Sequence, residues 1–247
     1  MVDLHCHILP GVDDGSASDE ESCMMAQLAA DSGVTVIAAT PHCNVRGCFD
    51  NYDSDALRER FLHLARLLRQ NQIPIGLRTG MEVYVTPEVP ELIRRKQLLT
   101  LGGSHYLLVE FGFRESGRYA DHMLKEIMEL GLIPVVAHPE RYEFVQEERE
   151  RLLRWIEAGY VLQLNKGSLF GFFGRRVART AHWCLGEGCV HLIGSDAHSP
   201  YRRTTRLGDV HEYVAEHISP EIADFLLEEN PLSILNDEPI RPVLAQF

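Results

Sequence analysis

The segment LIPVVAH (132–138) points to the fold class, because an apolar, β-branched run there ends in a histidine. Similar runs recur along the chain, and most are followed by a segment of helical periodicity. The predicted strands are 1–6, 34–40, 75–84, 106–111, 132–138, 160–165 and 189–196. The predicted helices lie near 19–32, 54–71, 86–96, 119–130, 147–158, 171–187, 204–217 and 220–228. Such a strand–helix alternation predicts an α/β protein with a mainly parallel sheet, whose strands are apolar because helices cover them.

Polar residues at the strand ends separate a closed barrel from an open sheet. At or just beyond the ends of these strands lie side chains that can bind a metal or that neighbour such a side chain. They are His5, His7, His42, Glu82, Glu110, His138, Asn165, Asp196 and His198. Side chains from six strand tips converge only if those tips form a ring, as in a barrel. An open sheet gathers ligands from two or three strands at its switch point. We therefore predict a distorted seven-stranded (β/α) barrel of the TIM type, with residues 1–247 as a single domain.

The composition excludes several classes of protein. The net charge is −12, from 24 Lys and Arg against 36 Asp and Glu, and no basic block could follow a nucleic-acid backbone. Nucleic acid is therefore not an expected partner. No run approaches the roughly 18 apolar residues of a membrane span, and no basic segment followed by an apolar stretch opens the chain. We expect a cytoplasmic protein without membrane insertion, with its six cysteines as free thiols. The sequence leaves its oligomeric state open.

Each candidate ligand, taken alone, also has an ordinary structural explanation. His5 and His7 point to the same face of a strand, as two ligands or as two core histidines. Asp14 could belong to a plain acidic loop. Glu82 and Glu110 end apolar strands, where an unpaired carboxylate costs several kcal/mol. A cation or an arginine must therefore lie near these two carboxylates.

Taken together, the candidates predict a metal centre. The proposed ligands are His5, His7, Asp14, His42, Glu82, Glu110, His138, Asp196 and His198. This set is larger than one ion can use, and imidazoles with carboxylates suit Mn²⁺, Zn²⁺ or Fe²⁺, with Mg²⁺ as a further alternative. We predict two or three divalent ions. Such a cluster ionises a bound water near neutral pH and binds both the attacking and the leaving oxygen of a displacement at phosphorus.

Two arginines are candidates for binding a phosphate. The guanidinium groups of Arg141 and Arg203 match the non-bridging oxygens of a phosphate. The alternatives are an ion pair of Arg141 with Glu140 or another carboxylate, and a solvated loop for Arg203. The chain contains no C-x5-R motif, so a cysteine-nucleophile phosphatase is excluded. The other seven histidines are predicted to be structural: His63, His105, His122, His182, His191, His211 and His217.

Several segments carry a family resemblance. They are HCHILPGVDDG (5–15), TPH (40–42), Gly80-x-Glu82, VEF (109–111), AHPER (137–141), GSLFGFFG (167–174) and SDAH (195–198). Together they resemble the PHP (polymerase and histidinol phosphatase) superfamily. More narrowly, the chain is similar to the bacterial manganese-dependent protein-tyrosine phosphatases associated with capsular and exopolysaccharide synthesis. The likeness extends from residue 1 to Arg203.

The resemblance implies a division of the ligands among three ions and a substrate. The implied sets are His5, His7, Glu82 and Asp196; Glu82, Glu110 and His138; and Asp14, His42 and His198. Arg141 and Arg203 would hold the phosphate of a phosphotyrosine on a membrane-associated tyrosine autokinase. Two alternatives remain: a PHP-type histidinol-phosphate phosphatase, and a non-catalytic metal-binding scaffold that docks a kinase.

Overall fold

Short β-branched runs form the strands of two parallel sheets in the computed structural model, which describes residues 1–240. The strands of this part of the chain are β1 (Val2–Cys6), β2 (Val36–Ala39), β3 (His42–Cys43), β4 (Gly76–Thr79), β5 (Glu82–Tyr84), β6 (Tyr106–Glu110), β7 (Ile133–Ala137), β8 (Val161–Asn165) and β9 (Leu192–Gly194). One sheet has the order β1-β2-β4 and the other β3-β5-β6-β7-β8-β9. The ladders between these strands are parallel, which confirms the predicted α/β class.

Helices connect most of the strands. They are α1 (Asp19–Asp31), α2 (Asp55–Gln70), α3 (Val89–Arg94), α4 (Gly117–Glu129), α5 (Glu143–Glu147), α6 (Arg151–Glu157), α7 (Lys166–Leu169), α8 (Arg175–Gly186), α9 (Gly208–His217), α10 (Pro220–Asp224) and α11 (Asn230–Leu235). The helix predicted at 147–158 begins later, as α6, because Glu148 leaves the helical conformation at φ −137° and ψ 79° and ends α5 at Glu147. Among residues 1–240, no helix combines the length and apolarity that a membrane crossing requires.

The second predicted strand ends early, and the third is interrupted. The strand predicted at 34–40 is the shorter β2, which β3 follows after Pro41, and the strand predicted at 75–84 is split into β4 and β5. Pro41 has no N–H to donate to a ladder and separates β2 from β3. Before it, the Thr40 N–H donates to the Cys6 carbonyl at 2.9 Å; beyond it, the Glu82 N–H donates to the Pro41 carbonyl at 3.0 Å. Pairing therefore passes from the first sheet to the second at this point.

Backbone contacts also join the first strand to the segment after the last one. The Asp196 N–H donates to the His5 carbonyl at 2.8 Å, and the His7 N–H donates to the Ala197 carbonyl at 2.9 Å. Cys6 and Ala197 form a parallel bridge. These bonds hold the end of β1 against the segment that follows β9.

One face of the sheets changes from apolar to polar toward the carboxyl ends of the strands. In β6, Leu108 belongs to a buried apolar cluster and Glu110 lies two residues further on the same face. In β8, Val161 belongs to that cluster, and Gln163 and Asn165 follow on its face. All of these side chains are buried. The strands therefore bring polar groups into the interior at one end of the molecule.

Candidate metal centre

The histidine and carboxylate side chains predicted as metal ligands meet at these carboxyl ends. His5 and His7 lie side by side, and the Nε2 atoms are 3.2 and 3.3 Å, respectively, from Glu82 Oε2. Each Nε2 is also 3.5 Å from Asp196 Oδ1. These four side chains are almost completely buried. Two strands distant in sequence, β1 and β5, and the segment after β9 thus supply one tight group.

Glu82 lies at the centre of the site. Its Oε2 atom is 3.0 Å from His42 Nδ1, and its Oε1 atom is 3.0 Å from His138 Nε2. Glu110 lies beside both imidazoles, 3.2 Å from His42 Nδ1 and 3.8 Å from His138 Nε2. One buried carboxylate therefore faces four imidazoles, including those of His5 and His7.

Asp14 lies at the outer edge of the site. Its Oδ1 atom is 3.5 Å from His42 Nε2 and 3.6 Å from His198 Nε2. More than half of the Asp14 side chain is exposed, whereas His198 is largely covered. The structure thus brings all nine predicted ligands together.

The ligand side chains form three groups, and within each group the ligand atoms all lie within 4.8 Å of one another. They are His7, Asp14, His42 and His198; His5, His7 and Asp196; and His42, Glu82 and Glu110. Within residues 1–240, the seven histidines predicted to be structural lie outside these groups. His7 and His42 each belong to two groups. The distances therefore show that the ligands lie together, and they do not assign each ligand to a particular ion.

The donor atoms fit divalent cations. His42 Nδ1 and Glu82 Oε2 are buried and 3.0 Å apart, yet neither forms a hydrogen bond of acceptable geometry. Buried polar atoms are normally satisfied, and a cation bound beside these two atoms would satisfy both. Imidazole nitrogens and carboxylate oxygens, without a thiolate, are ligands that Mn²⁺, Zn²⁺ and Fe²⁺ accept.

The electrostatics of the site also require positive charge. Burial raises the pKa of Glu82, but the charge of His5 and the adjacent imidazoles of His138 and His42 outweigh this effect and hold the pKa well below its ordinary value. Burial likewise raises the pKa of Asp196, and His5 and other neighbouring cationic groups reverse the effect. The carboxylates therefore stay ionised only because protonated imidazoles, or metal ions in place of their protons, balance them.

The two outer histidines have opposite pKa shifts. Burial lowers the pKa of His42, but the Glu110 and Glu82 carboxylates beside its Nδ1 atom outweigh this effect and raise the pKa to about 10. Burial, followed by the charge of His7, lowers the pKa of His198 to about 2. His198 is therefore neutral near pH 7, and its Nδ1–H donates to the Asp196 carbonyl at 3.0 Å. Its Nε2 lone pair is left free to bind a metal.

Two residues that the sequence analysis did not select hold His5 and His7. His7 Nδ1 donates to Asp13 Oδ2 at 2.8 Å, and His5 Nδ1 donates to Gln163 Oε1 at 2.8 Å. Both bonds leave the Nε2 lone pairs facing the carboxylates, as is usual for ligating histidines. A signal for Gln163 was present, because it is a polar residue within the apolar strand β8. Asp13 was not distinguishable from the adjacent Asp14.

Three residues at the site have strained backbone conformations. His138, Asp196 and Arg203 have φ values of 36°, 49° and 50°, a left-handed region that costs about 1–3 kcal/mol for such residues. Gly194 allows a close approach, since a Cβ atom there would lie 2.7 Å from Gln163 Nε2 and 2.9 Å from the Cβ of His5. The surrounding fold therefore imposes the conformation of the site.

Both predicted arginines reach the site from its rim. Arg203 Nη2 lies 2.5 Å from Asp196 Oδ2, and Arg141 Nη1 lies 3.3 Å from the same oxygen. The Arg141 guanidinium is held between the rings of Phe113 and Phe173, with its carbon 4.4 and 4.2 Å from the two centroids. Neither aromatic residue was selected from the sequence, because nothing local relates them to Arg141.

The alternative explanations for the two arginines have different outcomes. Arg141 does pair with a carboxylate, that of Asp196, whereas Glu140 is buried and accepts hydrogen bonds from Ser168 Oγ and the Asn165 N–H at 2.6 and 3.0 Å. Arg203 is not a solvated loop residue, because its Nε also donates to the Asp196 carbonyl at 3.2 Å. Two planar cations thus border the cluster of imidazoles and carboxylates.

The fold and the site define a parallel α/β protein with a multi-ligand imidazole–carboxylate centre at the carboxyl ends of its strands. The chain belongs to the family described as capsular polysaccharide synthesis, CpsB/CapC, which matches residues 1–236. This membership confirms the resemblance inferred from the sequence.

Relatives extend over nearly the whole chain. Tyrosine-protein phosphatase YwqE of Bacillus subtilis is 33% identical over 240 residues, covering 97% of this chain and 93% of its own length. Tyrosine-protein phosphatase CpsB of Streptococcus pneumoniae is 30% identical over 243 residues, covering 96% and 99%. A solved structure from work on YwqE and CpsB, described as metal-dependent tyrosine phosphatases, matches with a TM-score of 0.88 and 32% identity over 98% of this chain and 99% of that one.

Proposed function

We propose that this protein is a metal-dependent protein-tyrosine phosphatase. Its substrate is phosphotyrosine on a membrane-associated bacterial tyrosine autokinase that controls capsular or extracellular polysaccharide synthesis. The observation that carries the proposal is the meeting of nine imidazole and carboxylate side chains beside two arginines at one mouth. The family and the relatives named tyrosine-protein phosphatases support it.

The cofactor we propose is two or three Mn²⁺ ions. His5, His7, Glu82 and Asp196 would hold the first, Glu82, Glu110 and His138 the second, and Asp14, His42 and His198 the third. Bound there, the ions supply a water acidified to near neutral pH and positive charge for the phosphoryl oxygens. The unsatisfied His42 Nδ1 and Glu82 Oε2 atoms support the presence of cations in this site.

The chain's own residues bind and orient the phosphomonoester. Arg141 and Arg203 donate planar pairs of N–H groups to the equatorial oxygens, on which charge accumulates in the transition state. Phe113 and Phe173 hold Arg141 in a fixed orientation, so that it loses little entropy on binding. A phenolate is a good leaving group, so phosphotyrosine depends less on a dedicated general acid.

Hydrolysis proceeds without a phosphocysteine intermediate. Cys6 and Cys43 lie in or beside the strands that carry the ligands, and both are buried. Burial, together with the nearby Asp50 carboxylate, raises the pKa of Cys43 to about 12, and burial raises that of Cys6 well above its ordinary value. Both remain thiols near pH 7, and a thiol is a poor nucleophile.

The distorted seven-stranded barrel and the single domain are part of this proposal. When β2 with β3, and β4 with β5, are counted as two interrupted strands, seven strands remain. The bonds between β1 and the segment after β9 support closure of the ring. The predicted domain extends to residue 247, and its last seven residues lie outside those that the structure describes. All six cysteines are free, which supports a reaction in the reducing cytoplasm.

Hydrolysis of p-nitrophenyl phosphate and of a phosphotyrosine peptide tests the function. We expect EDTA to abolish both activities and Mn²⁺ to restore them, because the carboxylates and imidazoles alone supply no activated water. Histidinol phosphate and a phosphoserine peptide are the comparison substrates. A preference for histidinol phosphate would favour the other PHP activity, and a metal-loaded protein that hydrolyses none of them would be a scaffold. Activity that survives EDTA treatment would contradict the proposed metal dependence.

A further inference from the structure

A groove of about 580 Å³ adjoins the metal centre. Arg203 lines both the groove and the cavity of the centre. Phe173, which packs on Arg141, also lines the groove. The cavity of the centre itself measures only about 210 Å³, below the usual range of about 300–1,000 Å³ for ligand pockets. Residues that flank a bound phosphotyrosine must therefore lie outside the cavity, and the groove begins where the cavity ends.

The groove carries excess positive charge in an acidic protein. Lys166 is paired with Asp209 at 3.5 Å and donates to the Arg206 carbonyl, and Arg203 is paired with Asp196. Arg202 is exposed and forms no ion pair with any side chain of residues 1–240. Because the chain as a whole has a net charge of −12, this groove is a local site for an acidic segment.

Aromatic side chains form the apolar part of the groove. Phe172 and Tyr201 both line it, and they are 65% and 70% exposed. Exposed aromatic groups beside an arginine are typical of residues that contribute strongly to binding. Ser199 fixes the loop that presents Tyr201 and Arg202, because its Oγ accepts from the Arg202 N–H at 2.9 Å and donates to the Arg202 carbonyl at 2.8 Å.

We propose that this groove binds the substrate residues next to the phosphotyrosine, through an acidic side chain on Arg202 and an apolar side chain against Phe172 and Tyr201. The inference rests on the proposed phosphatase function and adds the sequence preference of the substrate. The net negative charge of the rest of the chain repels an acidic segment. The groove therefore determines the direction in which an acidic polypeptide leaves the metal centre.

Binding of non-hydrolysable peptides to the metal-loaded protein tests the groove. Three peptides carry a difluorophosphonate analogue of phosphotyrosine flanked by Glu, by Gln or by Lys. We expect the wild-type protein to bind the Glu peptide most tightly. Arg202→Glu should weaken binding of the Glu peptide about fivefold, as for one exposed ion pair, and strengthen binding of the Lys peptide. Arg66→Glu, the same charge change at an exposed position of α2, is the matched control.

Hydrolysis of p-nitrophenyl phosphate separates failure of the inference from failure of the function. This substrate has no flanking residues, so Arg202→Glu should hydrolyse it at the wild-type rate, which also shows that the variant is folded. Equal affinity of the wild-type protein for all three peptides, or an equal loss for all three in Arg202→Glu, would overturn the inference. If the wild-type protein binds the three peptides with different affinities but neither it nor the variants hydrolyse p-nitrophenyl phosphate, the proposed function is wrong and the groove's preference for acidic peptides is retained.

Discussion

Glu82→Gln lowers kcat/KM for a phosphotyrosine peptide by about a thousandfold or more. Glu82 is buried and faces the imidazoles of His5, His7, His42 and His138 at 3.0–3.3 Å. Glutamine keeps the shape but removes the negative charge that a bridging ligand contributes. Loss of a residue that only orients a ligand costs about 10–100-fold, and loss of the central ligand must cost more. Steady-state kinetics in saturating Mn²⁺ measure the effect.

The metal content of the same variant distinguishes a lost ligand from a lost fold. We expect Glu82→Gln to remain folded by circular dichroism while it retains less metal than the wild-type protein after gel filtration. Glu129→Gln, at an exposed position of α4, is the matched control and should change neither property. Wild-type activity together with wild-type metal content in Glu82→Gln would show that Glu82 is not a ligand.

Arg141→Ala is expected to lower kcat by about 10²–10³-fold, the usual effect of removing one preorganised charged donor. Arg141→Lys should restore little of this loss, because an ammonium group offers no planar pair of donors and cannot stack between Phe113 and Phe173 in the same way. Metal content should be unchanged, since Arg141 is not a proposed ligand. Single-turnover measurements isolate the chemical step.

Arg114→Ala provides a control for charge at the same rim. Arg114 follows Phe113 directly, is almost fully exposed, and pairs only with the surface residue Glu143 among the residues described. We expect its removal to leave kcat near the wild-type value. An Arg141→Ala variant with the same near-wild-type kcat would exclude a role for Arg141 in binding the transferred phosphoryl group.

The parts of the site that depend on local pattern were predictable from the sequence. Strand periodicity places His5 and His7 on one face, and the ends of apolar strands place Glu110 and His138 at one edge. Parallel pairing then brings these ends together. The nine predicted ligands are therefore found in one place.

The contacts between residues that are distant in sequence were not predictable. Gln163 bonds to His5 across 158 positions of the chain, and Phe113 and Phe173 enclose Arg141 from two different connections. The choice of Asp13 rather than Asp14 as the partner of His7 follows from the turn geometry of the loop after β1. The interruption of the strand predicted at 75–84 lies opposite Pro41 in the neighbouring strand, a residue remote in sequence.

Anomalous diffraction from crystals grown with Mn²⁺ and phosphate would locate the ions directly. We predict two or three anomalous peaks among His5, His7, Asp14, His42, Glu82, Glu110, His138, Asp196 and His198, with Glu82 in contact with two of them. Phosphate oxygens should lie beside Arg141 and Arg203. A map with no peak at these side chains, in which imidazoles and carboxylates bond only to one another, would contradict a metal centre in this protein.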